Sequence, residues 1–460
     1  MLRGFRGRRA VAAALVGLIG FVVISGPAAA HAGSLNLSSE PSPIPNWVYA
    51  LTGGGVVAIS FLFTSLVTDP ELVHWLRGRD WRLSTEAGPL VGRIGSVLGV
   101  LVLGAVLVLG FVGPTQPLAN AAVLLVWVMW WAGYTTSVYL VGNTWPWLNP
   151  WRTIASLLPS GTRSYPAGLG LWPAVAGLLG LVFVEVVTPL ADEPRLLATI
   201  VLGYTIVTLV GAVLVGPETW FGSVDPVSRV FHYYGQIAPL QWDGGPRLQP
   251  PSAVLNRASL LQGFDEVAFV ITLLWVTTYD GLVSTPTGAG MIEVAVDVGI
   301  PPLVAYFAIL VLGFGLFLGA YWVGAVGIRR VGGTFVTRGE IARRFAPTLL
   351  PIAAGYHLAH FLAYFLELLP ALVSSLVNPL TAPVSVPVLS VPGWFGGVEL
   401  GFVVLGHVVA VWAAHGTAFD LFSGRIQPIR SQYPLVVLMI AYTVTSLWVI
   451  AQPFSAPAYV

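Results

Sequence analysis

The sequence predicts an all-α, polytopic transmembrane helix bundle, and three observations carry that reading. Charged residues are 9% of the 460, against roughly 25% in a soluble globular domain. Hydrophobic residues are 56% and the mean hydropathy is +0.82, which leaves too little polar surface to clothe a water-soluble fold. The third observation is recurrence: apolar runs of about 20 residues, the length that crosses about 30 Å of hydrocarbon, alternate with short arginine-bearing loops. A water-soluble enzyme, a disordered chain and a nucleic-acid binder are excluded, the last because a net charge of +1 gives polyanions no footprint. The absence of cysteine removes disulfides, thiolate metal sites and a Cys nucleophile. All 21 basic residues are arginine, which removes Schiff-base chemistry on lysine.

The first element in chain order is a targeting segment. Arg3, Arg6, Arg8 and Arg9 precede an apolar run from Ala10 to Ser25, followed by Gly26-Pro-Ala-Ala-Ala-His-Ala32. A basic start, a short apolar stretch and a small-residue cleavage site make residues 1–30 a secretory signal peptide. Cleavage after Ala30 would leave His31 as the new N-terminus, where its amine and imidazole can chelate copper. Cleavage after Ala32 would leave Gly33. The alternative is an uncleaved first helix.

Residues 31–460 then form a single domain of ten spans, near 46–67, 94–113, 120–141, 168–188, 196–216, 264–284, 301–327, 346–368, 397–418 and 433–451. Orientation follows from arginine. Every second loop carries it: Arg77, Arg79, Arg82 and Arg93, then Arg152 and Arg163, then Arg229, Arg247 and Arg257, and so to Arg430. Arg195 alone falls in an opposite loop. The expected topology is a multi-pass protein of the plasma membrane with both mature termini outside.

Two stretches do not span. Trp145, Trp147 and Trp151 surround Asn149-Pro150, a cap and first-turn pair. Tryptophan favours the headgroup layer, so residues 147–158 read as an interfacial half-helix. The cytoplasmic loop 217–263 is the longest hydrophilic segment, and a connection of that length is either functional or mobile.

Ionisable groups at membrane depth need a reason, because each costs about 2.5–3.5 kcal/mol on insertion scales. The eighth run holds His357 and His360, three residues apart and on one helical face. The ninth holds His407 and His415, which are about 12 Å apart along the axis. Asp280 closes the sixth run and Glu185 the fourth. His360, His407 and His357, with Asp280 or Glu185, make a candidate site for Zn, Fe or Cu, and such an ion could supply a hydroxide nucleophile. Two facing imidazoles could instead hold a haem. Each group has a plainer reading as well. A membrane histidine often bonds a neighbouring helix, which competes for His407 and His415. Asp280 and Glu185 can simply mark wet helix ends. His74 and His232 lie in loops and read as solvated, and Glu367 and Glu399 as boundary residues. Asp265 and Glu266 suit a helix start.

Taken together, Ala30-His-Ala32, Ile44-Pro-Asn-Trp47, Asn149-Pro-Trp-Arg152, Thr277-Thr-Tyr-Asp-Gly281, Gly406-His407, Ala414-His-Gly416 and Ser431-Gln-Tyr-Pro434 resemble a family of bacterial integral membrane proteins labelled fenitrothion hydrolase-like. The likeness runs in order along most of the chain, in blocks of no more than about five residues. It implies about ten helices and hydrolysis of an organophosphorus triester such as fenitrothion. Asp280, His360, His407 and His415 match the family pattern best, and His357 falls outside it. Three functions follow as expectations. The first is a membrane hydrolase acting on a hydrophobic ester that reaches its site through the bilayer. The second is a transporter using the histidines, Asp280 and Glu185 as a relay, and the third is copper or haem handling in the envelope.

Overall fold

The computed structural model describes residues 46–83, 88–242, 245–453 and 455–459. The signal-peptide segment and His31 lie outside the described residues. Ten apolar helices run through the described chain, each overlapping an expected span. They are α1 (Asn46–Ser65), α2 (Gly88–Val112), α3 (Ala121–Val141), α4 (Trp172–Val187) and α5 (Pro194–Val215). The second half supplies α6 (Phe264–Val283), α7 (Pro302–Gly332), α8 (Leu350–Val377), α9 (Phe395–Leu421) and α10 (Tyr433–Ile450).

Among the described residues, eight helices are by themselves long and apolar enough to cross a bilayer. The two exceptions have separate causes. After α1 the chain turns by 114° into Pro70–Arg77, because Asp69 caps a new helix and Pro70 opens it. Counting that bent pair as one span gives nine. α4 has only 16 residues, about 24 Å at 1.5 Å per residue. Its missing turns lie at the start, where Ala167–Leu169 forms a 3₁₀ turn before Gly170 takes a positive φ of 46°.

α6 sits at the centre. Buried residues fill 78% of its apolar window, against 22% for α7, and it packs on α4, α7, α8 and α10. The outer faces of α2, α5 and α7 present Leu101, Val108, Ile206, Val207, Leu312 and Leu316, all more than half exposed. A bilayer is the medium that covers such a surface without cost. α8 and α9 meet backbone to backbone: a Cβ on Gly406 would stand 2.4 Å from the Pro351 carbonyl oxygen, and one on Gly355 would stand 2.5 Å from that of Phe402. Glycine is required at both positions for the helices to come this close.

The arginine-bearing loops gather at one end. β1 (Trp81–Arg82), β2 (Leu240–Gln241) and β3 (Arg247–Leu248) form a small antiparallel sheet in the order β1-β3-β2, with Trp81 opposite Leu248 and Leu240 opposite the same residue. The sheet thus joins the α1–α2 loop to the α5–α6 loop. Asp420, at the end of α9, takes Arg77 at 2.9 Å and Arg344 at 4.0 Å, with His74 at 3.6 Å. His74 is therefore an ion-pair neighbour as well as a solvated residue.

The described residues of the 217–263 segment are folded. Asp225 caps the helix Pro226–Gly235 by accepting the Ser228 N–H at 2.8 Å, and it also takes the Tyr204 hydroxyl. Phe231, Tyr233 and Tyr234 on that helix are at most 1% exposed. His232 is half-buried against Tyr233 at 5.0 Å, which corrects its reading as solvated. Burial, with Arg229 beside it, pulls its imidazole down to about 3.

The half-helix is also revised. Asn149 caps Pro150–Ser156 and accepts the Arg152 N–H at 3.0 Å. Two of the three tryptophans, however, turn inward: Trp145 and Trp151 are buried, and the Trp151 indole donates to Thr205 Oγ1 at 2.8 Å, while Trp147 is half-buried. A partner inside the bundle satisfies the indole N–H that the headgroup layer would otherwise serve.

Candidate functional site: an acidic, aromatic cavity

Glu185 on α4, Asp280 on α6 and His360 on α8 line one cavity of about 800 Å³. α6 contributes Leu273, Val276, Thr277 and Asp280, with Ser284 just beyond its end. That spacing of three, four and seven residues marks one helical face, and from Leu273 to Ser284 it covers about 16 Å of axis. α4 repeats the pattern with Leu178, Leu181, Val182 and Glu185. α8 supplies Tyr356, His360, Phe361 and Tyr364, and α3 supplies Trp127, Trp130, Trp131 and Tyr134. The α3 residues lie in a π-helical stretch, Leu125–Tyr134, a distortion that recurs at functional sites.

The ends of the cavity differ. Toward the arginine-bearing loops it is floored by aromatic rings. Phe231 meets Trp130 at 5.7 Å, Tyr134 at 5.0 Å and Trp145 at 5.0 Å. At the opposite end the wall is the α4–α5 connection, Thr188 to Asp192, with Ser284, Ala456 and Pro457. There the C-terminal segment is held by the Ser455 N–H on the Ser284 carbonyl at 3.0 Å, and by the Tyr306 hydroxyl on the Ala458 carbonyl at 2.9 Å.

Glu185 and Asp280 lie within electrostatic reach of each other, although α4 and α6 are far apart in sequence. Tyr356 feels Asp280 too, and its hydroxyl stands 2.9 Å from the place a Cβ would take on Gly281. The Tyr356 ring stacks on His360 with centroids 5.9 Å apart. Two carboxylates, an imidazole and a phenol thus share one wall. Such a set can pass protons and position a polar group of a ligand whose remainder is apolar.

The expected histidine cluster does not form. His357 leaves the cavity wall and is caged by Trp131 at 5.2 Å, Tyr139 at 5.7 Å and Phe361 at 4.7 Å. His407 holds the Val403 carbonyl with Nδ1 at 2.7 Å, four residues back on its own helix. His415 is spent on structure, with Nε2 on the Val67 carbonyl at 2.9 Å and Nδ1 facing Gln432 Nε2 at 3.2 Å. Among the described residues no three of His, Asp or Glu are placed to hold one metal ion. Among the described residues the donor set therefore does not fit Zn, Fe or Cu, and the cavity lining they form holds one imidazole, His360, where a bis-histidine haem needs two. The reason is geometric: residues three or four apart share a helix face, but the neighbouring helix decides what each side chain meets.

Glu399, read as a boundary residue, is buried at 4% exposure. Glu266 takes the Gly263 N–H at 3.1 Å and the Tyr233 hydroxyl at 3.2 Å, so it caps α6 as well as favouring its dipole. The residues missed from sequence are aromatic. Trp127, Trp130, Trp131 and Tyr134 recur at helical spacing, a signal on the page from the start but shared with ordinary core stripes. Compared with family models, curated proteins and solved structures, the chain matches none.

Proposed function

We propose that this multi-pass membrane protein takes a hydrophobic small molecule into the cavity and moves it through the bilayer, with Asp280, Glu185 and His360 as its polar relay. One observation carries the reading: both carboxylates and the histidine face a single elongated apolar cavity, about 16 Å long on α6, and among the described residues no three such groups are grouped closely enough to hold one metal ion. Intramembrane ionisable groups facing a cavity are the usual mark of a substrate or proton path. The arginine distribution supports a plasma-membrane topology in which the Asp280 end of the cavity is the outer mouth.

Hydrolysis of a hydrophobic ester, as the fenitrothion hydrolase-like resemblance implies, is the second reading. Its support is that His360, Tyr356 and Asp280 lie on one wall, a metal-free acid–base set. In that reaction water adds its hydroxyl to phosphorus, and the aryl alcohol leaves with the proton.

Vesicles reconstituted with the purified protein separate the two. Transport predicts movement of an intact hydrophobic compound across the vesicle wall, lost in Asp280→Asn. Release of the aryl alcohol from a triester, lost in His360→Ala, would replace transport with hydrolysis.

A further inference from the structure

The polar inventory of the cavity is one-sided. Among the described residues its wall carries three carboxylates, Glu185, Asp192 and Asp280, with one imidazole, His360, and no arginine; lysine is absent from the chain. Around them stand the π faces of Trp127, Trp130, Trp131, Tyr134, Tyr356 and Tyr364. Tyr356 and Tyr364 are 6% and 4% exposed, yet neither hydroxyl has a hydrogen-bond partner among the described residues. The indole N–H groups of Trp127 and Trp130 are buried without a partner in the same way. Buried polar groups are normally satisfied, so their concentration on one cavity wall points to a ligand or ligand-held water that completes them.

We infer that the ligand is a lipophilic organic cation: an ammonium or other onium centre on an apolar or aromatic body. This rests on the small-molecule reading above and names its substrate class. Carboxylates in a low-dielectric wall attract a cation and repel an anion of the same shape, and aromatic faces add attraction for a weakly hydrated positive centre. The apolar remainder of the wall takes the body of the molecule. An apolar anion would meet the carboxylates with no arginine to offset them, and a neutral ester would gain from the apolar wall alone.

Tetraphenylphosphonium and tetraphenylborate test this, being nearly the same size and opposite in charge. Equilibrium dialysis against the purified full-length protein is expected to show saturable binding of the phosphonium and none of the borate. The Glu185→Gln, Asp280→Asn double variant is expected to weaken phosphonium binding about tenfold or more, with an unchanged size-exclusion profile. Equal binding of both ions, or a double variant that is folded and binds as wild type does, overturns the inference. Should the double variant misfold, the comparison of the two ions on wild-type protein decides alone. Phosphonium binding without flux would end the transport reading and keep the cation class. Flux of a neutral compound with no phosphonium binding would do the reverse.

Discussion

Replacing Gly406 by alanine tests the tightest contact in the bundle. The added methyl would lie 3.2 Å from the Gly355 Cα and 2.4 Å from the Pro351 carbonyl oxygen, the latter about 1 Å short of the 3.4 Å at which ordinary contact begins. Both neighbours are backbone, so no side chain can rotate aside, and α8 and α9 must part. Overpacking of this kind costs about 1–3 kcal/mol. Alanine also gains up to about 1 kcal/mol over glycine in a helix, so Gly104→Ala on α2, which meets nothing within 4 Å, serves as the reference. Thermal unfolding in detergent, followed by size-exclusion recovery, is expected to place Gly406→Ala below wild type and Gly104→Ala at or above it. Equal stability of the two variants would refute the close approach and the rigid α8–α9 pair drawn from it.

Asp420→Ala should destabilise by on the order of 2 kcal/mol, between exposed and buried limits, because Arg77 and Arg344 would lose their common partner; thermal unfolding reads it. His415→Ala removes the tie from α9 to the Val67 carbonyl and should cost about 1–3 kcal/mol while leaving ligand binding intact. Metal analysis of purified wild type and His360→Ala should give the same content, since no three donors converge there. A metal present in wild type and lost in the variant would restore the histidine-site expectation. His232 is held neutral in the folded protein, with its value at about 3. A depressed histidine contributes stability that is present above its unfolded value near 6.5 and is lost as the pH falls toward 3. His232→Gln should therefore flatten the loss of melting temperature between pH 6 and pH 4.

The positions of the apolar helices were legible because hydrophobic run length is a local property. Two departures show where that ends. Leu66 and Val67 extend the first run beyond the helix, but Asp69-Pro70 starts a new helix and the chain bends. In the fourth run, residues 168–171 are apolar enough to pass in a window yet form a turn. Site residues were legible by type and depth: Asp280 and Glu185 were singled out, and both line the cavity. Their pairing was not, since it depends on α4 packing against α6. The histidines show the same limit. His357 and His360 have nearly the same sequence surroundings, yet Trp131 and Tyr139 enclose one while the cavity receives the other. Tryptophans 145 and 151 could be assigned to the headgroup layer only because Thr205 and Phe231, their actual neighbours, are distant in sequence.

Phe231 closes the cavity from a piece of chain that belongs to none of the ten apolar helices. The Pro226–Gly235 segment is tied by Asp225 to the Tyr204 hydroxyl, by Ser228 to Asn149 at 3.2 Å and by the Tyr233 hydroxyl to Glu266 at 3.2 Å, with Phe231, Tyr233 and Tyr234 buried beneath it. The two ends of the cavity are thus closed by different pieces of chain, this short helix at one and the strap at Ala456 and Pro457 at the other.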